Sequence, residues 1–477
     1  MLRSGFVLPG SYRRVVSPRL LHYSDVENAY DDPERVGRLA GTLLARDGPD
    51  ALTCGTGDDT APGVLALRTE GEQSLDLFEA VEPDAETFGN HDFDFGTDRT
   101  LDLVERSPQP WLTANVYPED APPGADPFGA GVGVRPWTVR EADGARVGLF
   151  GLTDPHTPDI NPAADGLAFR DPIAAAEEAV AELRARDVDH VVVLSHLGRG
   201  DEALAAAIDV DVILGGHVHS ERIERIDGTV LTRPGVNGEV VMEVSLPDGE
   251  VTRHRVADGP LHEPVAASRR DRMAAEGLTE IVGHAPEPVE RTERTCFRGE
   301  SRIGNFVADA YRWAALEAGF AEPVVGLQNS GGIREGPPLS GEVTLGDLMS
   351  VIPFPERVAV LEVPGRTLRS AFAEAARNVG FGESEWWHAH VSNARLEYDH
   401  GESELVSASV GGRPVEAGRR YRVATSEYLL HTEGEFPSLT PEYRVGTLDV
   451  QYEVLAAYAR AEGIAPRVEG RVVRHGV

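Results

Sequence analysis

At 477 residues the chain is long enough to build two separate cores, and 41% hydrophobic with 26% charged residues is the composition of a globular protein. No run approaches the roughly 20 apolar residues that a membrane-spanning helix needs. The balance of 79 acidic against 45 basic residues, a net charge of -34, opposes association with nucleic acid polymers, whose phosphates it would repel. Every fixed cation is arginine, for the chain contains no lysine. The acidity is spread along the chain, as expected of a surface adapted to the salt-rich cytoplasm of a halophilic archaeon. The opening residues hold no apolar core of the kind a signal peptide needs, so a cytoplasmic location without a membrane partner is expected. Cys54 and Cys296 are too few for a disulfide framework, in keeping with a reducing compartment.

In chain order, Leu20–Tyr23 is the first short apolar run that reads as a strand, and Ala85–Phe88 precedes another turn. Arg146–Phe150, His190–Leu194 and Val210–Leu214 follow as further strands. Between them Asp171–Leu183 reads as a helix, with Pro172 suited to its first turn, and Asp201–Ile208 reads likewise. This alternation predicts α/β layers over residues 1–260. Residues 261–290 read as a helical linker, with Pro286-Glu287-Pro288 as a break. A second, smaller mixed α/β unit is expected over 291–477, opening with a helix from Ile303 to Ala318.

The residues able to hold metals fall directly after predicted strands, where open α/β sheets place their ligands. They are Asp25-Val26-Glu27, Gly57-Asp58-Asp59, Gly89-Asn90-His91-Asp92-Phe93-Asp94, Ser195-His196 and Gly216-His217-Val218-His219. Carboxylates mixed with imidazoles suit Mn, Zn, Fe or Co as a pair of divalent ions. Two such ions about 4 Å apart can clamp a phosphoryl group and activate a water. Singly, an Asp after a strand or a lone histidine is better explained as a turn, a helix cap or a structural histidine; Gly-Asn-His-Asp, and still more Gly-Gly-His-x-His, are less readily explained that way. All five in this order are not so explained.

The ordered set resembles the calcineurin-like metallophosphoesterases, which implies a four-layer α/β/β/α catalytic domain. Carried over by position, the resemblance assigns one metal to Asp25, Asp58 and His219, with Glu27 standing where the family has histidine. It assigns the second to Asp58, Asn90, His196 and His217. His91 takes the place of the catalytic histidine and Asp94 that of its partner. Further on, Asn329-Ser330-Gly331-Gly332-Ile333-Arg334 resembles the signature of the 5′-nucleotidase carboxy-terminal domain. Upstream, Glu300–Ala310 matches the helix that opens that domain. The resemblance implies a substrate domain joined by a hinge within 261–290. It also implies an aromatic clamp on the base, from Phe354 and Phe436, and arginines on the phosphate, from Arg334 with Arg298 or Arg302. Asn329 and Gly332 belong to the same signature. The loop Thr432-Glu433-Gly434-Glu435-Phe436 and the pair Pro355-Glu356 depart from the family pattern, so contacts to base and ribose are expected to differ.

The expected activity is therefore hydrolysis of a nucleoside 5′-monophosphate at two divalent ions. A 2′,3′-cyclic phosphodiesterase, a nucleotide-sugar or sulfur-ester hydrolase, and a nucleotide binder with a decayed site are the alternatives the residues leave open.

Overall fold

The computed structural model describes residues 17–122, 124–377, 385–432 and 434–477. The amino-terminal residues behind the export reading, and Glu433 of the late loop, lie outside the described residues. The chain divides into two compact units, Met1–Met273 and Ala274–Val477.

In the first unit two sheets lie face to face. One runs Val251–Arg255, Val240–Ser245, Arg19–Tyr23, Ala51–Gly55 in spatial order. The other runs Arg222–Ile226, Thr229–Arg233, Val212–Gly215, His190–His196, Ala145–Thr153, Trp137–Ala142. Side-chain alternation explains the layering. Leu20, Leu52 and Val244 of the first sheet meet Leu149, Val192 and Leu214 of the second, while Leu21 and Tyr23 turn outward to Val36 and Leu39 of the helix Pro33–Leu44. On the far side Val191, Val193 and Ile213 cover Ala176 and Val180 of the helix Pro172–Arg184. Asp171 caps that helix by accepting from the Ala174 amide at 2.8 Å, as its sequence predicts. The result is the expected α/β/β/α arrangement.

Strand register sets up the site. Tyr23 pairs with Gly55, Thr153 with His196, and Ser195 with Gly215, all in parallel. The central strands of each sheet therefore run out together at their carboxyl ends, and the loops that follow share one edge.

The segment read from sequence as a linker splits between the units. The helix Glu263–Ala275 packs on the first, where Arg269 is fully buried and Arg272 grips Asp76 at 2.7 and 2.8 Å. Pro286-Glu287-Pro288 is no break but part of the strand Ile281–Arg291, paired with Gly336–Thr344. The prolines cannot donate to a ladder, and the register slips between Ala285 and Val289 to accommodate them.

The second unit is built on a five-stranded sheet ordered Ala389–Ser392, Val324–Asn329, Arg420–Ser426, Arg357–Pro364, Arg444–Val450. The helix Arg302–Glu317, capped by Ser301, packs Phe306, Ala310 and Tyr311 against it. Among the described residues no helix is long and apolar enough to cross a membrane.

Candidate active site

Each cluster picked out in the first half of the sequence sits just past the end of a strand of the first unit. Asp25 and Glu27 follow Arg19–Tyr23, Asp58 follows Ala51–Gly55, and Asn90 follows Glu86–Thr87. His196 closes its strand, and His217 and His219 follow Val212–Gly215. Four of these residues turn the chain into the left-handed region: Asp25 (φ 49°), Glu27 (φ 42°), Asp58 (φ 55°) and His217 (φ 70°). Such turns aim several side chains at one point, and they are unfavourable for residues with a Cβ. Gly57 takes φ 87° and has no room for a Cβ, which would lie 2.3 Å from the Gly89 amide nitrogen.

Two groups of ligand atoms gather there, Asp58 with His196 and His217, and Asp25 with Glu27 and His219, each within 4.8 Å of one another. His196 Nε2 lies 3.0 Å from Asp58 Oδ2, while its Nδ1–H donates to the Thr56 carbonyl at 2.7 Å, which leaves Nε2 as the free face. His219 Nε2 approaches Glu27 Oε1 at 3.1 Å and Asp25 Oδ1 at 3.9 Å. Glu27, the departure from the family pattern, is buried and faces into the group. His22 takes no part, because its two ring nitrogens are engaged by Thr232 and Thr56 hydroxyls.

His91 stands beside these groups. Its Nδ1 is 3.0 Å from Asp94 Oδ2, and its backbone amide donates to Asp58 Oδ1 at 2.6 Å. Burial works against the imidazolium, but Asp58 and Asp94 together push it up to about 10. Two residues without an assigned role complete the arrangement. Asn161 donates through Nδ2 both to the Asn90 carbonyl (2.7 Å) and to Asp94 Oδ1 (2.9 Å). Asp92 accepts from the amides of Asp58, Gly89 and Thr60 and from the Thr60 hydroxyl, tying two ligand-bearing turns together. Asp92 was visible inside the Gly-Asn-His-Asp run; Asn161, far off in sequence, carried no signal.

The second unit holds a cavity of about 570 Å³. Asn329, Gly332, Arg334 and Phe354 all line it, with the Arg334 guanidinium 4.7 Å from the centre of the Phe354 ring. Three other residues assigned to substrate lie elsewhere. Phe436 is 1% exposed and packs in the core with Phe372 and Leu429, so it offers no face to a base. Arg302 donates to the carbonyls of Pro466 and Pro288 at 2.9 and 2.7 Å, which fastens the start of its helix. Arg298 bonds Glu385 at 3.3 Å and is not among the cavity's lining residues. Aromatic surface comes instead from Phe297 and Trp386, stacked with centroids 4.0 Å apart, and from Tyr428. Glu356, Glu435 and Gln328 supply polar groups that the sequence reading did not place there.

Comparison with known proteins matches residues 18–221 to the calcineurin-like phosphoesterase family and residues 281–441 to the 5′-nucleotidase carboxy-terminal domain. The chain joins a calcineurin-like phosphoesterase domain to a 5′-nucleotidase carboxy-terminal domain. It is 25% identical over 512 residues to the trifunctional nucleotide phosphoesterase protein YfkN of Bacillus subtilis, covering 95% of this chain but only 34% of that one. It is 25% identical to a 5′-nucleotidase of Diplobatis ommata over 90% of this chain and 82% of the relative. The fold is shared with a 5′-nucleotidase precursor from Thermus thermophilus, with TM-score 0.70 and 23% identity over 97% and 100% of the two chains.

Calcineurin-like phosphoesterases use two divalent metal ions, and the donors in this phosphoesterase domain fit that requirement. Burial raises the Asp25 carboxyl to about 7 and raises Glu27 as well. Burial opposes the charge on Asp58 too, but His196 and His91 face that carboxylate and hold it low. Asn90 Oδ1 is buried with no hydrogen-bond partner. Desolvated carboxylates, imidazole nitrogens with free faces and an orphaned amide oxygen form the mixed donor set that borderline and hard divalent ions take. The chain is thus a metal-dependent phosphoester hydrolase.

Proposed function

We propose that the chain hydrolyses nucleoside 5′-monophosphates to nucleoside and phosphate. The observation that carries this reading is the pairing of two adjacent carboxylate–imidazole groups with a histidine held by its own carboxylate. The signature cavity of the second unit supports the nucleotide as substrate.

In this reading Asp25, Glu27, Asp58 and His219 would hold one ion, and Asp58, Asn90, His196 and His217 would hold the other. The ions, when bound, neutralise phosphoryl oxygens and lower the pKa of water. Net reaction adds water across the P–O5′ bond, and the leaving ribose oxygen must gain a proton. His91 is built to give it. Asp94 occupies Nδ1, Asn161 fixes Asp94, and the ring remains 37% exposed, so Nε2–H is the group that can reach a phosphoryl or leaving oxygen. Phe354 offers a face for the base, and Arg334 supplies a planar donor set that suits phosphate. Two buried free thiols, Cys54 and Cys296, support action in the cytoplasm.

The test is phosphate release from a panel of nucleoside monophosphates, with cyclic nucleotides and nucleotide sugars alongside, in molar KCl with Mn²⁺ and with chelator. Metal-dependent release led by 5′-monophosphates is expected. Metal-loaded protein that releases phosphate from none of them sinks the reading.

A further inference from the structure

The polar lining of the second unit's cavity is unbalanced toward acceptors. Glu435, only 6% exposed, brings both carboxylate oxygens to one donor, Asn329 Nδ2, at 3.1 and 3.3 Å. Asn329 is held in that orientation, since its Oδ1 accepts from Gln328 Nε2 at 2.9 Å. The amide relay therefore runs one way, from Gln328 through Asn329 to Glu435. Its other end, Gln328 Oε1, is buried with no hydrogen-bond partner. Glu293, Glu335 and Glu356 add further carboxylates to the lining, Glu356 with Oε2 likewise unpartnered. Against these acceptors stands one charged donor among the described lining residues, Arg334, which lies over Phe354 and gives one N–H to the Gly331 carbonyl at 3.1 Å.

A carboxylate accepts at about four lone-pair sites; the one Asn329 amide in front of Glu435 forks across both oxygens at 3.1 and 3.3 Å, so two adjacent donors aimed at them take its place and meet each oxygen separately. Leaving a desolvated acceptor unmet is costly, so the cavity favours a ligand that brings donors. Stacking on an aromatic face is indifferent to which base is stacked, so discrimination falls to the base edge. Guanine alone presents two adjacent donors there, N1–H and the 2-amino group, at the spacing of a carboxylate's oxygens. Adenine and cytosine set a lone pair beside their amino group, which a carboxylate repels. Uracil offers one N–H between two carbonyls.

We propose that this cavity selects guanine nucleotides, with N1–H and the 2-amino group donating to the two carboxylate oxygens of Glu435. The proposal rests on the nucleotide-hydrolase reading above and specifies its substrate. Charge-assisted pairs of this kind discriminate strongly, because the wrong base leaves a buried charge unmet.

The experiment compares kcat/KM for GMP, IMP and AMP on the Mn²⁺-loaded full chain, with p-nitrophenyl phosphate as a substrate that has no base. GMP should exceed AMP by roughly tenfold or more, with IMP, which keeps N1–H and lacks the amino group, between them. Glu435→Gln should collapse the GMP-to-AMP ratio to within about threefold, because an amide matches only one of the two donors. AMP equal to or better than GMP in the wild type overturns the proposal, whether or not the variant folds. So does an undiminished ratio in a folded Glu435→Gln variant. Turnover of p-nitrophenyl phosphate without guanine preference refutes the selectivity and leaves the hydrolase intact. If nothing is hydrolysed, calorimetric titration with guanosine and adenosine still decides: tighter guanosine binding supports the cavity assignment and equal binding refutes it.

Discussion

Asp92 touches no substrate in the proposed mechanism, yet its replacement by asparagine should disturb the metal centre more than most surface changes to the site. Its Oδ2 accepts from the Asp58 amide at 2.9 Å and the Gly89 amide at 2.7 Å, and its Oδ1 accepts from the Thr60 amide at 3.1 Å and hydroxyl at 2.7 Å. An asparagine keeps one oxygen and turns its NH₂ either toward the Asp58 and Gly89 amides or toward the Thr60 amide and a hydroxyl that can then accept, so at least one amide is left unmet and the remaining bonds lose their charge. Hydrogen bonds to a charged group contribute about 1.5–3 kcal/mol each, so losing one or two destabilises the first unit by roughly 1.5–6 kcal/mol. That is a large part of the roughly 5–15 kcal/mol typical of a domain. The turns carrying Asp58 and Asn90 are left with at most a neutral, weaker common anchor, so metal affinity should fall along with stability. Urea unfolding of metal-free protein reads the first effect, and calorimetric Mn²⁺ titration the second. An Asp92→Asn variant with unchanged urea midpoint and unchanged Mn²⁺ affinity would refute the view that Asp92 organises these turns.

Three further outcomes are expected. Replacing His91 by alanine should lower kcat by about 10²–10⁴-fold with both ions still bound, as metal analysis would show; full activity removes His91 from the mechanism. Asn161→Ala should lower kcat about tenfold with little change in KM, and Asn161→Asp should be worse, since it sets a carboxylate against Asp94; equal activity of both variants and wild type refutes the positioning role. Burial lowers His390 to about 4, so between that value and about 6.5 the unfolded chain binds the extra proton. Stability contributed by keeping His390 neutral is thus present at pH 7 and falls on acidification, by roughly 3 kcal/mol at most. Comparing urea midpoints at pH 7 and 5 for wild type and His390→Asn checks this, and an identical pH dependence in the two speaks against it.

Much of the catalytic half was legible because its information is local. A carboxylate or imidazole one or two residues past an apolar run sits at a strand end whatever the rest of the chain does, and parallel register then collects Asp25, Asp58, Asn90, His196 and His217 on one edge. The direction of Glu27 was not legible, because it depends on two reversals of φ, one on either side of Val26. Phe436 and Arg302 show the same limit in the second unit. A phenylalanine beside a loop can face a cavity or a core, and an arginine near a helix start can meet phosphate or backbone carbonyls. Only the packing of Phe372 and Leu429, and the approach of Pro466 and Pro288, decides between them. Asn161 was hidden for a different reason: it reaches Asn90 and Asp94 from more than sixty positions away.

The left-handed turns at Asp25, Glu27, Asp58 and His217 bear on how such a protein can change. Each holds a residue with a Cβ where glycine would rest at lower energy, by about 1–2 kcal/mol per position, and three of the four also bury a carboxylate. A lineage drifting under selection for heat tolerance alone would gain by converting these very positions to glycine or asparagine. Decay of the chemistry at these positions therefore runs downhill in folding energy, and this chain carries four residues there that stability alone would not select.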